Sequence, residues 1–388
     1  MNESERRARF PVTADWVYLN HAAIGPLTAA AADRLAALAH SVAATGDRRW
    51  PQRNDGVEEV RQGVARLLGA GTPSSVAFVE NTSAALSLVA QGLPWRQGEN
   101  VVSAACEYPA NVYPWMILER RGVELRRVAE RPDGRLAPED LLARCDESTR
   151  VLTLSWVQYA SGLRSDLSAL AAACRERDVL FVVDAIQGLG ALALDVEATG
   201  VDVVAAAGHK WLLGPEGVGL LYLSPRAVER LTPTRAGARS MVHRYDWDRL
   251  AVDFAPGALA LECGTLNVYG ILALGASIEV LLAAGREEVE SRVLAAVDFL
   301  ASRLPAAGFE VASPRRPGER SGILSLTPPD VGGASGGRMS AEEIVERAAA
   351  RAVVVSARGG RVRLSPHFYT SDADLERAVE VLSAVVTS

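Results

Sequence analysis

The chain is expected to be an α/β protein with a mostly parallel sheet in a large domain and a smaller α+β domain after it. Three observations predict this. Apolar runs alternate with helical-period segments between about residues 70 and 225, the pattern changes after Pro256-Gly257, and 388 residues at 49% hydrophobic content can bury more than one core.

The strand candidates of the first part are Val76–Val79, Val101–Ser103, Val151–Ser155, Leu180–Val183, Val203–Ala206 and Val218–Leu223. They are mostly apolar, as strands covered by helices on both faces should be. In the second part a long apolar helix candidate, Tyr269 to Ala284, precedes an amphipathic one reaching Leu304. Alternating segments follow at Phe309–Ala312, Ile323–Leu326, Val353–Ser356 and Arg361–Leu364. The glycine-rich stretch 332–337 reads as a loop before a helix starting near Ala341. The expected division is therefore residues 15–260 for the large domain, with 1–14 and 261–388 in the smaller one and the helix near 269–284 between them.

Charge and cysteine usage exclude several classes. Acidic residues outnumber basic ones, 47 to 41, so the chain lacks the basic surplus that nucleic-acid binding draws on. The start, MNESERRARF, has no apolar core of signal-peptide length, and 271–284 is too short and polar to span a bilayer; a cytoplasmic protein without a membrane partner is expected. Cys106, Cys145, Cys174 and Cys263 lie far apart with no paired spacing, which argues against a metal site or a disulfide framework and for buried free thiols.

Chemistry is concentrated at strand ends. Lys210 follows an apolar run and precedes a Gly/Pro-rich turn, and Asp184 ends another such run. In an open α/β sheet both would open onto the crevice at the carboxyl ends of the strands. A lysine and a carboxylate on one ligand suit pyridoxal phosphate, whose aldehyde bonds an amine and whose ring nitrogen must stay protonated to withdraw electrons. Taken singly, a lone lysine is more often a snorkelling surface residue and Asp184 is equally a helix cap. Upstream, Glu80-Asn81-Thr82-Ser83 opens a helical run after a strand, an arrangement that offers N–H groups and hydroxyls to a phosphate or serves as an ordinary cap.

Together these residues resemble the class V aminotransferase fold family, with its cysteine desulfurases, kynureninases and isopenicillin N epimerase-like enzymes. The resemblance runs from Tyr18-Leu19-Asn20-His21-Ala22-Ala23-Ile24-Gly25-Pro26 to Arg361-Val362-Arg363-Leu364-Ser365-Pro366-His367-Phe368-Tyr369. It implies a fold-type I pyridoxal-phosphate enzyme acting on an amino acid or a similar small molecule. Lys210 matches the lysine that carries the cofactor, Asp184 its ring-nitrogen partner and Gln187 a donor to its phenolate oxygen. Thr82, Ser83 and His209 match phosphate contacts, and Tyr108 falls where the family stacks a ring on the cofactor. Arg363 matches the arginine that pairs with the substrate carboxylate, and Asn20 and His21 match a loop closing over the substrate. Thr265, in Glu262-Cys263-Gly264-Thr265-Leu266-Asn267, resembles a segment reaching a neighbouring subunit's phosphate, which implies a homodimer; it could also cap the next helix.

Departures narrow the reaction. Ala207 stands where many relatives carry a phosphate-binding hydroxyl, and Tyr159 replaces an asparagine near the phenolate oxygen. The stretch Val355 to Arg363 lacks the cysteine that desulfurases use against the substrate sulfur and is shortened. Persulfide chemistry by that route is excluded, leaving reactions that begin with α-proton or carboxylate loss. Cleavage of a C–S bond by β-elimination in a specialised biosynthetic pathway is the expectation; epimerisation, transamination and decarboxylating deamination are the alternatives. A vestigial cofactor-binding regulator would lack an essential element, whereas Lys210, Asp184 and Arg363 are all present. A nicotinamide-dependent oxidoreductase is discarded because Val76–Ala85 lacks GxGxxG.

Overall fold

The computed structural model describes residues 2–330 and 339–387. The glycine-rich stretch 332–337 lies outside the described residues.

A two-residue strand, β1 (Val17–Tyr18), precedes the main sheet. That sheet comprises β2 (Val76–Val79), β3 (Asn100–Ala104), β4 (Glu124–Val128), β5 (Thr149–Ser155), β6 (Leu180–Asp184), β7 (Val203–Ala207) and β8 (Gly219–Leu223). Their order is β2-β8-β7-β6-β5-β3-β4. All neighbours are parallel except β8, which runs antiparallel between β2 and β7. Six of these strands were legible as apolar runs. The seventh, β4, reads Glu-Leu-Arg-Arg-Val because it is an edge strand whose outer side faces water, and charge there discourages pairing with another chain.

The smaller unit contains β9 (Glu310–Val311), β10 (Leu324–Thr327), β11 (Val353–Val354), β12 (Ser356–Arg358) and β13 (Arg361–Leu364). Four of them form an antiparallel sheet in the order β12-β13-β10-β9. Helices Arg286–Arg303, Ala341–Ala349 and Asp372–Thr387 share its core through Val297, Leu300, Ile344, Leu375 and Leu382. The segment expected as one strand at 353–356 is two, since β11 pairs in parallel with β1 while β12 pairs with β13. Residues 17–20 thus belong with the smaller unit, through β1 and a bridge from Asn20 to Ser365, and the first crossing between units falls after them rather than at residue 15. Helix Val268–Ala284 packs on helices Ala29–Thr45 and Trp50–Leu68 and is capped by the Asn267 side chain, which accepts from the Gly270 N–H at 3.0 Å. All four cysteines are free, but only Cys174 is fully buried.

Candidate active site

Because β2, β3, β5, β6 and β7 run the same way, their carboxyl ends lie along one edge of the sheet. Thr82, Tyr108, Tyr159 and Lys210 follow those ends and Asp184 closes β6, so all five lie along that edge, where an open α/β sheet binds its ligands. Lys210 Nζ stands 5.6 Å above the centre of the Tyr108 ring, and Tyr108 meets Tyr159 edge-on at 5.2 Å. Burial and the neighbouring Glu107 raise the Asp184 carboxyl to about 7, while burial lowers the Lys210 ammonium to about 8 against the opposing pull of Asp184. Each group perturbs the other, and the directions are what the burial of both dictates.

The Lys210 turn is held from the N-terminal segment. Gly25 N–H donates to the His209 carbonyl at 2.8 Å, and Leu213, in the left-handed region at φ 54°, donates its N–H to the Lys210 carbonyl at 3.0 Å. Helix Thr82–Gly92 begins at the end of β2; its cap is Asn81, whose side chain takes the Ala84 N–H at 2.9 Å. Ser83 lies in that first turn beside Thr82, whose hydroxyl is buried and unpartnered.

Whether a cofactor fits can be asked of the buried polar atoms that the fold itself leaves without a hydrogen bond. Those include Asp184 Oδ2, Thr82 Oγ1, Arg363 Nη2 and Asn20 Oδ1. Buried polar groups are costly to leave unmade, so such atoms mark where a ligand completes the set. An acceptor at Asp184, a hydroxyl at the start of a helix and an amine at Lys210 are the partners that a pyridinium nitrogen, a phosphate and an aldehyde demand. Asp184 Oδ1 is already fixed by the Ile186 N–H at 3.0 Å, which leaves Oδ2 for the ring.

Arg363 is buried on β13. Its Nη1 donates to the Tyr159 carbonyl at 2.7 Å and its Nε to Ser356 Oγ at 3.3 Å, which leaves the buried Nη2 without a partner in the fold. Burial and the nearby Arg358 lower its pKa to about 10, so it keeps its charge at neutral pH. Tyr159 therefore contributes its backbone as well as its ring.

Two predicted contacts are engaged elsewhere. His21 is fully buried, with Nδ1 donating to the Ser365 carbonyl at 2.8 Å and Nε2 accepting from the Tyr369 hydroxyl at 2.6 Å. Both ring nitrogens are occupied, so its place is the wall behind the site and not the substrate surface. Gln187 donates to the Ala22 carbonyl at 3.0 Å and accepts from Trp211 Nε1 at 3.0 Å, linking the N-terminal loop to the residue after Lys210. One amide hydrogen is left for a ligand. His209 is half-buried, and burial and Lys210 lower its pKa. Thr265 is exposed and does not cap the following helix, a role Asn267 takes. Its segment is anchored by the buried Glu262, which accepts from Arg61 at 2.7 Å and from the Phe78 N–H at 2.8 Å.

The sequence reading missed Glu107, His367 and Ser365. Glu107 accepts from the Ser155 N–H and hydroxyl, Asn111 and Gln158, and so fastens the end of β5 beside Asp184. His367 Nε2 donates to the Trp211 carbonyl at 2.9 Å while its Nδ1 accepts from the Phe368 N–H at 2.8 Å. Ser365 Oγ accepts from the Ala22 N–H at 3.0 Å.

Residues 17–378 match the family model described as aminotransferase class-V. The chain belongs to the class-V aminotransferase family. Membership brings an enzymic role and the pyridoxal 5′-phosphate cofactor with it, as the sequence reading expected. Among relatives in this family, a probable cysteine desulfurase of Methanothermobacter thermautotrophicus is 30% identical over 339 residues, 85% of this chain and 83% of that one. A cysteine desulfurase of Salmonella dublin is 32% identical over 61% of this chain and 59% of its own. Among solved structures, the cystine C–S lyase C-DES in complex with its product cysteine persulfide superposes with a TM-score of 0.87 at 23% identity, over 96% of this chain and 99% of that one. The apo cysteine desulfurase of Thermococcus onnurineus gives 0.87 at 22% identity, over 100% and 99%. These two share the fold-type I architecture of the class-V proteins.

Proposed function

We propose that this class-V protein is a pyridoxal-phosphate-dependent C–S lyase that removes the sulfur substituent from a cysteine conjugate by β-elimination. The observation that carries this reading is the β12–β13 hairpin. Where the desulfurase-like relatives would need a thiol on a mobile loop, the chain turns back through Gly359-Gly360, both at positive φ, and has no cysteine. A protein of this family with no thiol there can still cleave C–S bonds, provided the sulfur leaves with the rest of the conjugate.

Bound at Lys210, the cofactor supplies an electron sink that weakens the bonds to the substrate α-carbon. The chain's own residues do the rest. Arg363 Nη2 receives the α-carboxylate, while the guanidinium is held in place through Nη1, which donates to the Tyr159 carbonyl. The Lys210 amine, whose proton affinity is reduced by burial, is the base for the α-proton once free. Asp184 keeps the ring nitrogen protonated through its unpartnered oxygen. With a sulfur substituent on the β-carbon, the C–S bond breaks, the thiol R–SH departs, and water converts the remainder to pyruvate and ammonium.

The test is to offer the purified protein cysteine S-conjugates and cysteine, and to measure pyruvate, thiol, α-deuterium incorporation and conversion of the cofactor to its amine form. Pyruvate and thiol in equal amounts support the lyase. Epimerised, transaminated or decarboxylated product without thiol refutes it and selects the corresponding alternative. A homodimer in the cytoplasm, acting in a specialised biosynthetic pathway, completes the proposal; the isopenicillin N epimerase-like resemblance favours such a pathway.

A further inference from the structure

The β12–β13 hairpin that lacks a cysteine carries something else. Its register pairs Ser356 with Arg363, Ala357 with Val362 and Arg358 with Arg361. Directly paired residues share a face, as do residues two apart on one strand, so Ser356, Arg358, Arg361 and Arg363 all stand on one side. Ala357 and Val362 stand on the other and join the core of the smaller unit. The Nε of Arg363 bonding Ser356 Oγ fits this arrangement. One face of the hairpin is therefore a row of three guanidinium groups, with Arg363 at its buried end in the active site and Arg358 and Arg361 at its exposed end.

Neither outer arginine makes an ion pair among the described residues; Arg358 spends one N–H on the carbonyl of Ala357 at 2.7 Å. Most arginines of this protein are paired with carboxylates, as Arg135 is with Glu319 and Arg164 with Glu290. The Arg358 charge is also felt inside the site, where it lowers the pKa of both Lys210 and Arg363. A cation placed there without a carboxylate of its own works against the charge of Arg363 unless an anion joins them.

We propose that the substrate carries a second anionic group beyond its α-carboxylate, and that Arg358, with Arg361 across the hairpin, receives it. Two residues along a strand correspond to roughly 7 Å, so the second anion lies about that far from the first. A cysteine conjugate whose sulfur bears a short carboxylate-ended substituent has this span. The inference rests on the lyase reading for the sulfur and only on the hairpin for the charge.

The experiment uses the cofactor-loaded protein and its Arg358→Gln variant, with S-carboxymethyl-L-cysteine and its uncharged counterpart of the same shape, S-carbamoylmethyl-L-cysteine. Calorimetry gives the dissociation constants, and thiol release is measured separately. The unaltered protein is expected to bind the carboxymethyl compound about tenfold or more tightly than the amide. In Arg358→Gln that preference should fall to within about twofold while affinity for the amide is kept. A ratio near one in the unaltered protein, a ratio that survives in Arg358→Gln, or no binding of the charged compound overturns the proposal. Discrimination in binding without thiol release would sustain it and sink the lyase reading; equal binding with thiol released from both compounds would do the reverse.

Discussion

Gly25 lies against the carbonyl of Lys210 so closely that a Cβ at position 25 would sit 2.0 Å from that oxygen. The contact joins the N-terminal loop of the smaller unit to the turn that presents the reactive lysine. Gly25→Ala must push that turn or the loop aside, because the atom it meets is backbone and cannot rotate away. Overpacking of this kind costs about 1–3 kcal/mol, read as a lower denaturant midpoint. Turnover should fall more than stability alone explains, since the displaced group is Lys210 itself. An alanine variant with native stability and native turnover would show that the contact is not constraining.

Lys210→Ala should abolish the borohydride-reducible bond between cofactor and protein while leaving weaker, dialysable binding through the Thr82 and Asp184 contacts. Asp184→Asn should retain the bond but lower turnover by about 100-fold or more, because an amide cannot hold a proton on the ring nitrogen by charge. Peptide mapping after reduction locates the bond. A label at any other lysine contradicts the assignment.

Much of this was readable in the chain. Lys210 and Asp184 announce themselves because Asp184 ends one apolar strand and Lys210 lies in the turn just after another, and the direction of parallel strands then places both on one edge. The ring of His21 could not be placed that way, since its partner Ser365 is 344 residues distant and only the folding of β1 beside β11 brings them together. The same long closure hid the split at 353–356: Val353–Val354 and Ser356–Arg358 are one apolar-polar run locally, and what separates them is which sheet each joins. The antiparallel direction of β8 also escapes composition, because a strand buried on both faces looks the same read either way.

His367 and His21 should make the fold acid-labile. Burial lowers the His367 imidazole to about 4, and burial together with His367 lowers His21 further below its ordinary value. The unfolded chain takes up protons near pH 6.5 whereas the native state does not, so stability is present in full above 6.5 and is lost as pH falls toward 4. For His367 the loss is about 3 kcal/mol over that window. Replacing it with Gln, which can still donate to the Trp211 carbonyl, should flatten the pH dependence of the denaturation free energy by about that amount. A slope unchanged between variant and parent would assign the acid lability to other groups.

Assembly is predicted from the segment 242–265. Val242, Tyr245, Trp247, Leu250 and Val252 are exposed, Leu250 at 96%; Tyr245 and Trp247 stand beside the Thr265 turn and Trp50, and Trp247 also lies with Leu250 and Val252. A cluster of this size on one surface is more than scattered apolar exposure. We expect a dimer at nanomolar concentration by analytical ultracentrifugation, dissociated by a Leu250→Asp, Trp247→Ala pair. If Thr265 serves the neighbouring subunit's phosphate, Thr265→Ala should weaken cofactor retention without altering the sedimentation coefficient. A fully active monomer would refute both parts.

Arg363 offers the sharpest separation of binding from chemistry. Its Nη1 and Nε are committed to the Tyr159 carbonyl and Ser356, so the free Nη2 acts from a guanidinium whose orientation is already set. A lysine at this position would keep the charge but lose the fork, and with it either the carboxylate contact or the bond to Tyr159. Arg363→Lys should therefore raise KM for an α-amino acid by about 10- to 100-fold, the equivalent of about 1.4–2.7 kcal/mol of charge-assisted hydrogen bonding, with a smaller change in kcat. Binding of the cofactor itself should be unaffected, because Asp184, Lys210 and Thr82 are untouched. If KM stayed within twofold while kcat collapsed, Arg363 would be orienting the reacting centre and the carboxylate would have another partner.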